Sequence, residues 1–519
     1  MLQSQSTDLE ILIVGAGPVG LFLANECVRR GLCNRIIEAN SGQSVNSKAL
    51  AIFPRTLEIF DMAGLASDFL RVDNRVRSVA AMSHDQALAR IRFEPENTPY
   101  PFISMVPQNV TEELLAQALK RKGAEVEYNT RFLSLSQSPD VVSVVIEKDG
   151  RQEQIRARYV VGCDGAHSAV RKSLGITLDG GEYDMPFMLA DIETNQDLPS
   201  DEMQLCSSAK GPIAIFPMSA TRRRVVATVD RSEGDAPTLE FTQRLLAERA
   251  PKGFQANKLY WSSYFRIHHR HASQLRSGRV FLAGDAAHIH SPFGGQGMNT
   301  GLHDVWNLVW KLELAVRGRA SETLLDSYSE ERVPVIAEVI ETTDRLTKAL
   351  GTPSTLAQML RESVIPIVSR IPAFRHAIVE RLSGLGLTYS GPIIHNSGKR
   401  FLADVMRDGQ IAGARFLLFL TKTASAPLLE ASRNTAASFN RLLVFHASKD
   451  EKTRLVRPDG YIAFESENES SGDVCQLIRA LLGRMLSIDG KPESSATADA
   501  PATQSLGCTQ DDRLSVERR

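Results

Sequence analysis

The chain has 519 residues, enough for two or three domains with sizeable cores, and its 43% hydrophobic and 23% charged residues are ordinary for a globular protein. Its 60 basic and 61 acidic side chains leave a formal net charge of -1, so nothing global favours a nucleic-acid partner. The six cysteines have neither disulfide-framework nor zinc-ligand spacing, no apolar run reaches the ~18 residues of a membrane span, and no secretion signal opens the chain. We therefore expect a soluble, cytoplasmic protein with free thiols, no metal site and no membrane span.

The first motif is a glycine-rich turn between two predicted strands. Residues 10–14 form a continuous apolar run typical of a buried strand, and Gly15, Gly17 and Gly20 follow in a GxGxxG pattern that opens a helix. The glycines permit a tight turn, close approach of a pyrophosphate, and packing of helix on strand. Glu38 ends the second strand and is placed to accept hydrogen bonds from a ribose, which favours FAD or NAD over NADP. The predicted dinucleotide site also includes Ala16, Pro18, Val19 and Ala39.

Two basic residues, Lys48 and Arg55, follow in a polar loop and the helix after it. Each is a candidate for contact with a cofactor phosphate or a reducing cosubstrate, and each is explained equally well as part of a solvated face. Further on, an apolar strand ends at Asp164-Gly165, and small residues then lead into a helix.

A third strand–glycine–helix segment begins at residue 280. Four apolar residues precede Gly284-Asp285, a loop of small residues follows, and a strongly periodic helix runs from about residue 300. A strand, a glycine loop and a helix N-terminus together present several backbone N–H groups to an anion.

Three sequences, GxGxxG near the N-terminus, CDGAHSAVR at 163–171 and GDAAHIHSPFGGQGMNTG at 284–301, resemble the three fingerprints of the class A FAD-dependent aromatic hydroxylases. These are the single-component flavoprotein monooxygenases related to p-hydroxybenzoate hydroxylase and phenol hydroxylase. The resemblance covers roughly residues 8–350. It implies FAD as cofactor, NADPH or NADH as a transient cosubstrate, O2, and a phenolic or polyketide-like aromatic substrate.

The resemblance also assigns expected roles to single residues. The GxGxxG glycines and Glu38 match the positions that hold the ADP half of FAD, and Gln108 matches a glutamine on the flavin side. Asp164 matches an aspartate associated with FAD and the nicotinamide, and Asp285 matches one that meets the ribityl chain. Lys48 stands where the family usually has arginine, so a phosphate contact there would be less directional.

The loop before the third helix is expected to meet the flavin ring and the substrate. Its backbone N–H groups match those that face the pyrimidine edge of the ring, where a helix dipole suits negative charge. Pro292 matches a proline whose carbonyl lies beside the reacting part of the substrate, and Phe293 is a further candidate for substrate contact. The loop residues predicted to bind the cofactor are Gly294, Gly295, Gln296, Gly297, Met298 and Asn299.

Residues 180–275 differ from the rest, because they form a series of alternating strands and turns that resembles the sheet over the substrate pocket in this family. Ile213, Ile215, Trp261 and Tyr264 are candidate wall residues, and Tyr264 is placed to hydrogen-bond a phenol. Ordinary sheet packing is the alternative for each, since a one-residue error in register inverts the facing of a strand. Pro292 and Tyr264 are the only candidates for a catalytic role, and no general base is assignable.

Two histidine groups, His268 to His271 and His288 with His290, lack the carboxylate or cysteine partners of a metal site. We expect them to pack or to line a polar pocket.

The predicted fold is α/β, with a Rossmann-type, GR2-like FAD-binding domain, an inserted antiparallel substrate sheet, a helical segment and a thioredoxin-like C-terminal domain. Without a CxxC motif, redox work by that last domain is not expected, and it would pack or support a homodimer. The expected ranges are 1–180 with 276–350 for FAD binding, 181–275 for the substrate sheet, 351–395 for the helical linker, 396–487 for the C-terminal domain and 488–519 for a disordered tail.

The family mechanism implies that hydride passes to the flavin, O2 adds at C4a, and the distal oxygen of the hydroperoxide reaches an electron-rich ring carbon. Epoxidation or Baeyer–Villiger insertion on a secondary metabolite remains an alternative, as does a non-catalytic flavin-binding protein. The substrate, the position of attack, NADPH against NADH and the oligomeric state stay open.

Overall fold

The computed structural model describes residues 9–44, 47–83, 85–182, 185–194, 199–208, 210–230, 232–266, 268–289, 295–351, 355–402, 406–407, 413–439, 442–447, 451–467 and 471–487. Within these ranges the side chains of 268, 346–351, 355–361 and 471–472 are excluded. The predictions for His290, Pro292, Phe293, Gly294 and the 488–519 tail lie outside the described residues.

The strands, in chain order, are β1 (Leu9–Val14), β2 (Asn34–Ile37), β3 (Ala51–Ile52), β4 (Asn74–Val76), β5 (Ser78–Ser83), β6 (Gln86–Arg92), β7 (Ile103–Met105), β8 (Thr130–Gln137), β9 (Val142–Lys148), β10 (Arg151–Gly162), β11 (Asp179–Glu182), β12 (Phe187–Glu193), β13 (Glu202–Ser207), β14 (Ile213–Pro217), β15 (Arg222–Thr228), β16 (Lys258–Phe265), β17 (His268–His271), β18 (Arg276–Ser277), β19 (Val280–Leu282), β20 (His288–Ile289), β21 (Phe416–Leu420), β22 (Leu443–Ala447), β23 (Thr453–Val456) and β24 (Ile462–Ser466).

The helices are α1 (Pro18–Arg29), α2 (Pro54–Met62), α3 (Ala66–Leu70), α4 (Gln108–Arg121), α5 (Ala169–Ser173), α6 (Leu239–Arg249), α7 (Gly297–Val316), α8 (Glu322–Gly351), α9 (Thr355–Val368), α10 (Pro372–Ser383), α11 (Ala426–Ser438) and α12 (Ser471–Met485), and a 3-10 turn lies at Gly284–Ala286. None of them, within the ranges given above, has the length and apolar character needed to span a bilayer.

The first sheet is built on parallel strands that are buried on both faces. Its main path is β18-β19-β10-β1-β2, in which β1 pairs in parallel with β10 and β2, and β10 pairs in parallel with β19. Ile11, Leu12 and Ile13 have no solvent exposure, which agrees with the apolar run expected of such strands. All three predicted glycine turns leave this sheet at its carboxyl edge, after β1, β10 and β19.

The second sheet has the order β16-β12-β15-β14-β13-β5-β6 and is antiparallel except where β13 meets β5. Two of its strands, β5 and β6, come from residues before 181, so the sheet draws on both sides of that predicted boundary. Helix α6 was not predicted from the sequence; it packs Leu245 and Leu246 on one face of this sheet. Thr238 caps that helix by accepting a hydrogen bond from Phe241 N, a signal available in the sequence.

Helix α7 lies between the first sheet and the C-terminal part of the chain, and it is buried along all but its first residue. The C-terminal sheet, of order β22-β21-β23-β24, packs on it: the Trp310 and Phe416 rings meet edge to face at 5.7 Å. Trp310 and Leu314 therefore belong to the same apolar cluster as β21 and α12.

A fully buried ionic network joins α7 and α8 to the C-terminal sheet. Arg457 donates to both Glu331 carboxylate oxygens at 2.6 and 2.9 Å and to Asp459 at 2.5 and 3.1 Å, while Lys311 lies 3.1 Å from Glu331. Burial acts to raise the pKa of Glu331, but the charges of Arg457 and Lys311 outweigh it and lower the pKa to about 2. Burial lowers the pKa of Lys311 to about 8. The charges stabilise the interface only as a complete set, because each would be costly if left alone.

Substitution Arg457→Met should therefore lower the free energy of unfolding by about 3–5 kcal/mol, since it leaves Asp459 and part of Glu331 buried without their cation. The midpoint of urea unfolding measures this loss. Arg345→Met is the matched control, because Arg345 pairs with Glu341 on an exposed helix surface and should change the midpoint little. Equal effects of the two substitutions would contradict the account.

Candidate functional site

The first glycine turn packs closely against neighbouring backbone at Gly15 and Gly20 and has open space beside Gly17. A Cβ on Gly15 would lie 2.4 Å from the Cys163 carbonyl oxygen, and a Cβ on Gly20 would lie 1.9 Å from the Gly15 carbonyl oxygen. At Gly17, by contrast, a Cβ would meet nothing within 4 Å. Gly17 is also the N-cap of α1, and no side chain caps this helix. The turn therefore presents the first backbone N–H groups of α1 to an open side, which is the geometry of an anion site.

Glu38 lies beside this turn, as the sequence predicted. One carboxylate oxygen accepts a hydrogen bond from Ala16 N at 2.9 Å, and the other accepts from Asn40 N at 3.0 Å and Asn40 Nδ2 at 2.7 Å. These bonds fix the carboxylate at the carboxyl edge of the sheet, where the neighbouring Ala39 is exposed.

Asp164 has a local structural role at the second predicted anchor. Its carboxylate accepts from Ser168 Oγ at 2.5 Å and from the backbone N–H groups of Ala169 and Val170 at 2.7 and 3.1 Å. It therefore holds the first turn of α5. Its association with cofactor and cosubstrate stays a prediction.

The third anchor places Asp285 in the 3-10 turn after β19. Its side chain is accessible to solvent, although protein atoms surround the carboxyl group closely. That enclosure raises the pKa of Asp285, and the charges of His288 and Lys48 oppose the rise. An enclosed but accessible carboxylate is suited to accept hydrogen bonds from a polar part of a ligand.

Asp304 on α7 binds the turn that carries Asp285. Its role was not predicted from the sequence. Its buried carboxylate accepts from Gly284 N at 3.0 Å, lies 2.7 Å from His288 Nε2 and accepts from Arg332 Nε at 2.7 Å. Burial acts to raise the pKa of Asp304, but the charges of His288 and Arg332 prevail and lower it to about 2. The available signal was an acidic residue directly before Val305, which belongs to the apolar stripe of this helix.

The N-terminus of α7 resembles that of α1, since no side chain caps it either. The side chain of Asn299 is fully buried and links this helix start to the segment before α2. Its amide oxygen accepts from Phe53 N at 3.0 Å and Thr56 Oγ1 at 2.7 Å, and its Nδ2 donates to the carbonyls of Ala51 and Gly295, both at 2.9 Å. Only the backbone of Asn299 is thus available for the predicted ligand contact.

The other described residues of the predicted loop surround this helix start. Gly295 has φ +62° and lies against the Phe53 ring, which a Cβ would approach to 3.3 Å. Gln296 donates through Nε2 to the Leu382 carbonyl at 3.1 Å, Gly297 begins the helix, and Met298 is buried.

Gln108 and Arg224 hold the segment that carries Lys48. Gln108 exchanges hydrogen bonds with the backbone of Ala49, accepting at 3.1 Å and donating at 3.0 Å. Arg224 of β15 donates to the carbonyls of Lys48 and Ala49 at 2.9 and 3.1 Å, and a bidentate pair with Asp191 at 2.7 and 3.0 Å orients it. Lys48 itself stays exposed. Arg224, which the sequence analysis overlooked, therefore connects the second sheet to the cofactor side.

Both interpretations offered for Arg55 were wrong. Arg55 has no solvent exposure; it donates to Glu58 at 3.1 Å and to the Asp459 carbonyl at 3.1 Å, and its guanidinium lies 4.9 Å from the Tyr461 ring centre. The C-terminal segment covers Arg55. The two partners of the Arg55–Asp459 contact are 404 residues apart, so the sequence around Arg55 could not reveal it.

The face of the second sheet on which a residue lies tests most of the predictions for residues of the pocket wall. We call the face that carries Arg224 the inner face, because Arg224 points from it to Lys48 and Ala49. Ile213 and Ile215 lie on the outer face, in the cluster under α6. The prediction that Ile215 lines the pocket was wrong, whereas Ile213, at the first position of β14, does line a small apolar cavity. The cause is the two-residue period of a strand, in which a shift of one inverts the facing.

Tyr264 also lies on the outer face, so its predicted substrate and catalytic roles were wrong. Its ring contacts the Phe241 ring at 6.1 Å, and its hydroxyl donates to the Glu233 carbonyl at 3.4 Å. Trp261 is opposite Asp191 in the β12–β16 pairing, and Asp191 pairs with Arg224, so Trp261 shares the inner face.

The inner face carries an apolar row formed by successive cross-strand partners: Leu189, Val226, Ala214 and Leu205. Ile365 of α9 joins Leu205 and Ala81 of the inner face, and Met82, Cys206 and Ile213 of the outer face, in lining a small apolar cavity at the end of these strands. Phe216 and Met203, also of this sheet, cluster with Leu50 and Phe53 from the cofactor side.

The described residues contain no group of three or more histidine, cysteine, aspartate or glutamate side chains that could hold a metal ion. His288 is engaged with Asp304, as described above.

The arrangement fits a flavin dinucleotide. An open, uncapped helix start at Gly17 suits a pyrophosphate, and Glu38 beside it suits a ribose. Asp285 and the uncapped start of α7 supply an acceptor and backbone donors for the other half of such a molecule.

Comparison with known proteins gives matches over most of the chain. Residues 8–343 match a family model described as an FAD binding domain. The 6-methylpretetramide 4-monooxygenase of Streptomyces rimosus is 32% identical, and the match covers 95% of this chain and 97% of that protein. Pentachlorophenol 4-monooxygenase of Sphingobium chlorophenolicum is 30% identical over 91% of this chain and 88% of its own. The solved structure of the anhydrotetracycline hydroxylase OxyS from Streptomyces rimosus has a TM-score of 0.75 and 29% identity, covering 92% of this chain and 99% of that one.

Replacement of Gly17 by alanine should weaken FAD binding by about tenfold or more while leaving the fold intact, because the added methyl group meets no protein atom but stands on the pyrophosphate side. Flavin absorbance per polypeptide and the thermal midpoint measure the two effects. Gly483→Ala on α12, where a Cβ also meets nothing, is the matched control and should change neither the flavin content nor the fold. Full flavin occupancy in Gly17→Ala would contradict this assignment.

Proposed function

Because this chain belongs to the FAD-binding domain family and is an FAD-dependent monooxygenase, we propose that it hydroxylates a phenolic or polyketide-like aromatic compound with NADPH or NADH and O2. Family membership confirms the resemblance to aromatic hydroxylases found in the sequence. The observation that supports the substrate class is the apolar row of the inner face, which turns toward the segment carrying Lys48 and ends at an apolar cavity. The relatives named above act on a pretetramide, a chlorinated phenol and an anhydrotetracycline.

When bound, FAD supplies the redox chemistry, accepting hydride from the nicotinamide and activating O2. The chain holds it through backbone N–H groups at the starts of α1 and α7, with Glu38 and Asp285 as acceptors. The positive end of the α7 dipole favours negative charge near that helix start. The apolar inner face would exclude water from the substrate site. Exclusion of water limits side reactions in which activated oxygen decomposes before it reaches the substrate.

The domain roles follow from this assignment. Residues 1–180 and 276–350 bind FAD, and the sheet of 181–275, with β5 and β6 added, covers the substrate. The helical segment 351–395 supplies the α9 side of the cavity. The C-terminal unit, 396–487, has a mixed four-stranded sheet with two helices, which supports a thioredoxin-like fold. Its single cysteine, Cys475, is buried, so the unit serves packing, and a homodimer through it stays a prediction.

The direct test is NADPH and NADH oxidation by the purified, FAD-loaded protein across a panel of phenols and polyketide-like aromatics. We expect one or more compounds to accelerate the oxidation and to yield a product heavier by about 16 mass units, one oxygen atom. A hydroxyl group on an aromatic carbon in that product distinguishes hydroxylation from epoxidation and Baeyer–Villiger insertion. A flavin that no reductant reduces with any compound present would contradict the proposal and favour a non-catalytic flavin protein.

The facing of the sheet gives a second test. Leu205→Ala enlarges the apolar cavity from its inner-face side, so the ratio of kcat/KM for a bulky against a small substrate should rise by about tenfold. Ile215→Ala removes a similar volume from the outer face, where it should lower the unfolding midpoint without changing that ratio. Selectivity that follows Ile215 and not Leu205 would show that the facing is inverted.

A further inference from the structure

The junction of α9 and α10 exposes a group of large apolar side chains. Val364 is 48% exposed, Ile367 65%, Ile371 48% and Phe374 41%. The other large apolar side chains of the described residues with comparable exposure, Val72, Tyr260 and Leu477, lie at separate places on the chain. Single exposed apolar residues need no explanation, but a contiguous group marks a contact surface. We call residues 364–375 the apolar tip.

The apolar tip joins the end of α9 to the start of α10 through a bend. Ser369 N donates to the Ile365 carbonyl at 3.0 Å and Arg375 N donates to the Ile371 carbonyl at 3.2 Å, but Ile371 itself is extended, with φ -76° and ψ 116°, so the helical path is interrupted there. Val364 and Ile367 are three residues apart on α9 and share one side of that helix, and Ile371 and Phe374 follow at the start of α10. Ile365, next to Val364 in the sequence, lines the apolar cavity at the end of the second sheet's strands.

The apolar tip is also positively charged. Arg370 and Arg375 are exposed, and among the described residues neither has an acidic partner. Glu380 lies nearby on α10 and faces His376 at 3.8 Å, and Glu362 on α9 is engaged with Ser83 at 2.5 Å. Apolar side chains beside two unpaired guanidinium groups therefore form one solvent-facing surface.

We propose that the apolar tip docks on the surface of an anionic lipid bilayer. Val364, Ile367, Ile371 and Phe374 would enter the boundary between headgroups and acyl chains, while Arg370 and Arg375 contact lipid phosphates. A second copy of the chain fits less well, because a two-fold contact through this surface would set each arginine close to the arginines of its partner. The charge of the apolar tip thus selects an anionic partner over itself.

Docking has a consequence that rests on the proposed function. Since Ile365 of the apolar tip lines the cavity, a bilayer-seated tip would bring that cavity close to apolar aromatic compounds dissolved in lipid.

The test is cosedimentation of the FAD-loaded protein with vesicles, which needs no substrate and is independent of turnover. We expect binding to vesicles of phosphatidylcholine with phosphatidylglycerol, at least about tenfold weaker binding to phosphatidylcholine alone, and loss of binding as added salt shortens the Debye length to about 3 Å. Failure to bind the anionic vesicles would overturn the proposal and leave the monooxygenase assignment untouched.

Variants locate the surface. Ile371→Ser with Phe374→Ser, and separately Arg370→Gln with Arg375→Gln, should each weaken vesicle binding at least about tenfold, while flavin absorbance and the unfolding midpoint stay unchanged. Leu477→Ser on α12 removes an equally exposed apolar side chain elsewhere and should bind as the natural protein does. Vesicle binding retained in both tip variants would overturn the proposal. The proposal would also be overturned if the protein bound no lipid but formed a concentration-dependent dimer that the serine variants abolish. The apolar tip would then bind a second copy of the chain.

Discussion

The buried carboxylate of Asp304 is the contact on which the cofactor side of the molecule depends. It accepts from the backbone of Gly284, faces His288 and pairs with Arg332, so one side chain of α7 fixes both the turn that carries Asp285 and its attachment to α8. The charges of His288 and Arg332 lower the pKa of this carboxylate to about 2, which keeps it charged near neutral pH. Because α7 also begins, seven residues earlier, with an uncapped start, the same helix orients an acceptor and a set of backbone donors toward one ligand.

The same chain of contacts continues into the C-terminal unit and attaches it to the rest of the molecule. Arg332 donates to the Tyr389 hydroxyl at 3.2 Å, the Tyr389 and Tyr461 rings are 4.3 Å apart, and the Arg457 guanidinium lies 5.4 Å from the Tyr389 ring centre. Arg457 in turn is bound to Glu331 and Asp459. The C-terminal unit therefore completes a buried polar network that begins at the turn carrying Asp285, and satisfied networks of this kind hold a unique arrangement.

Several site residues could be predicted because their roles are local. Gly15, Gly17 and Gly20 are separated by fixed numbers of residues, and the close contact of Gly20 with the Gly15 carbonyl lies within the pattern itself, whereas that of Gly15 with Cys163 depends on the strand β10. The facing of β14 and β16 could not be predicted, since a strand has a period of two and its register depends on partners far along the chain. Arg55, Asp304 and Arg224 were misjudged or missed for a related reason: each is defined by partners on other elements, and a basic or acidic letter in a sequence does not show what covers it.

We infer that backbone N–H groups at the starts of α1 and α7 hold the cofactor. Hydrogen–deuterium exchange on the apoprotein and the FAD-loaded protein measures this directly, because amides that donate to a ligand exchange more slowly. We expect slower exchange in the FAD-loaded protein at residues 15–20 and 295–299, with α11 and α12 unchanged. Bound flavin with no change of exchange at either helix start would contradict the account.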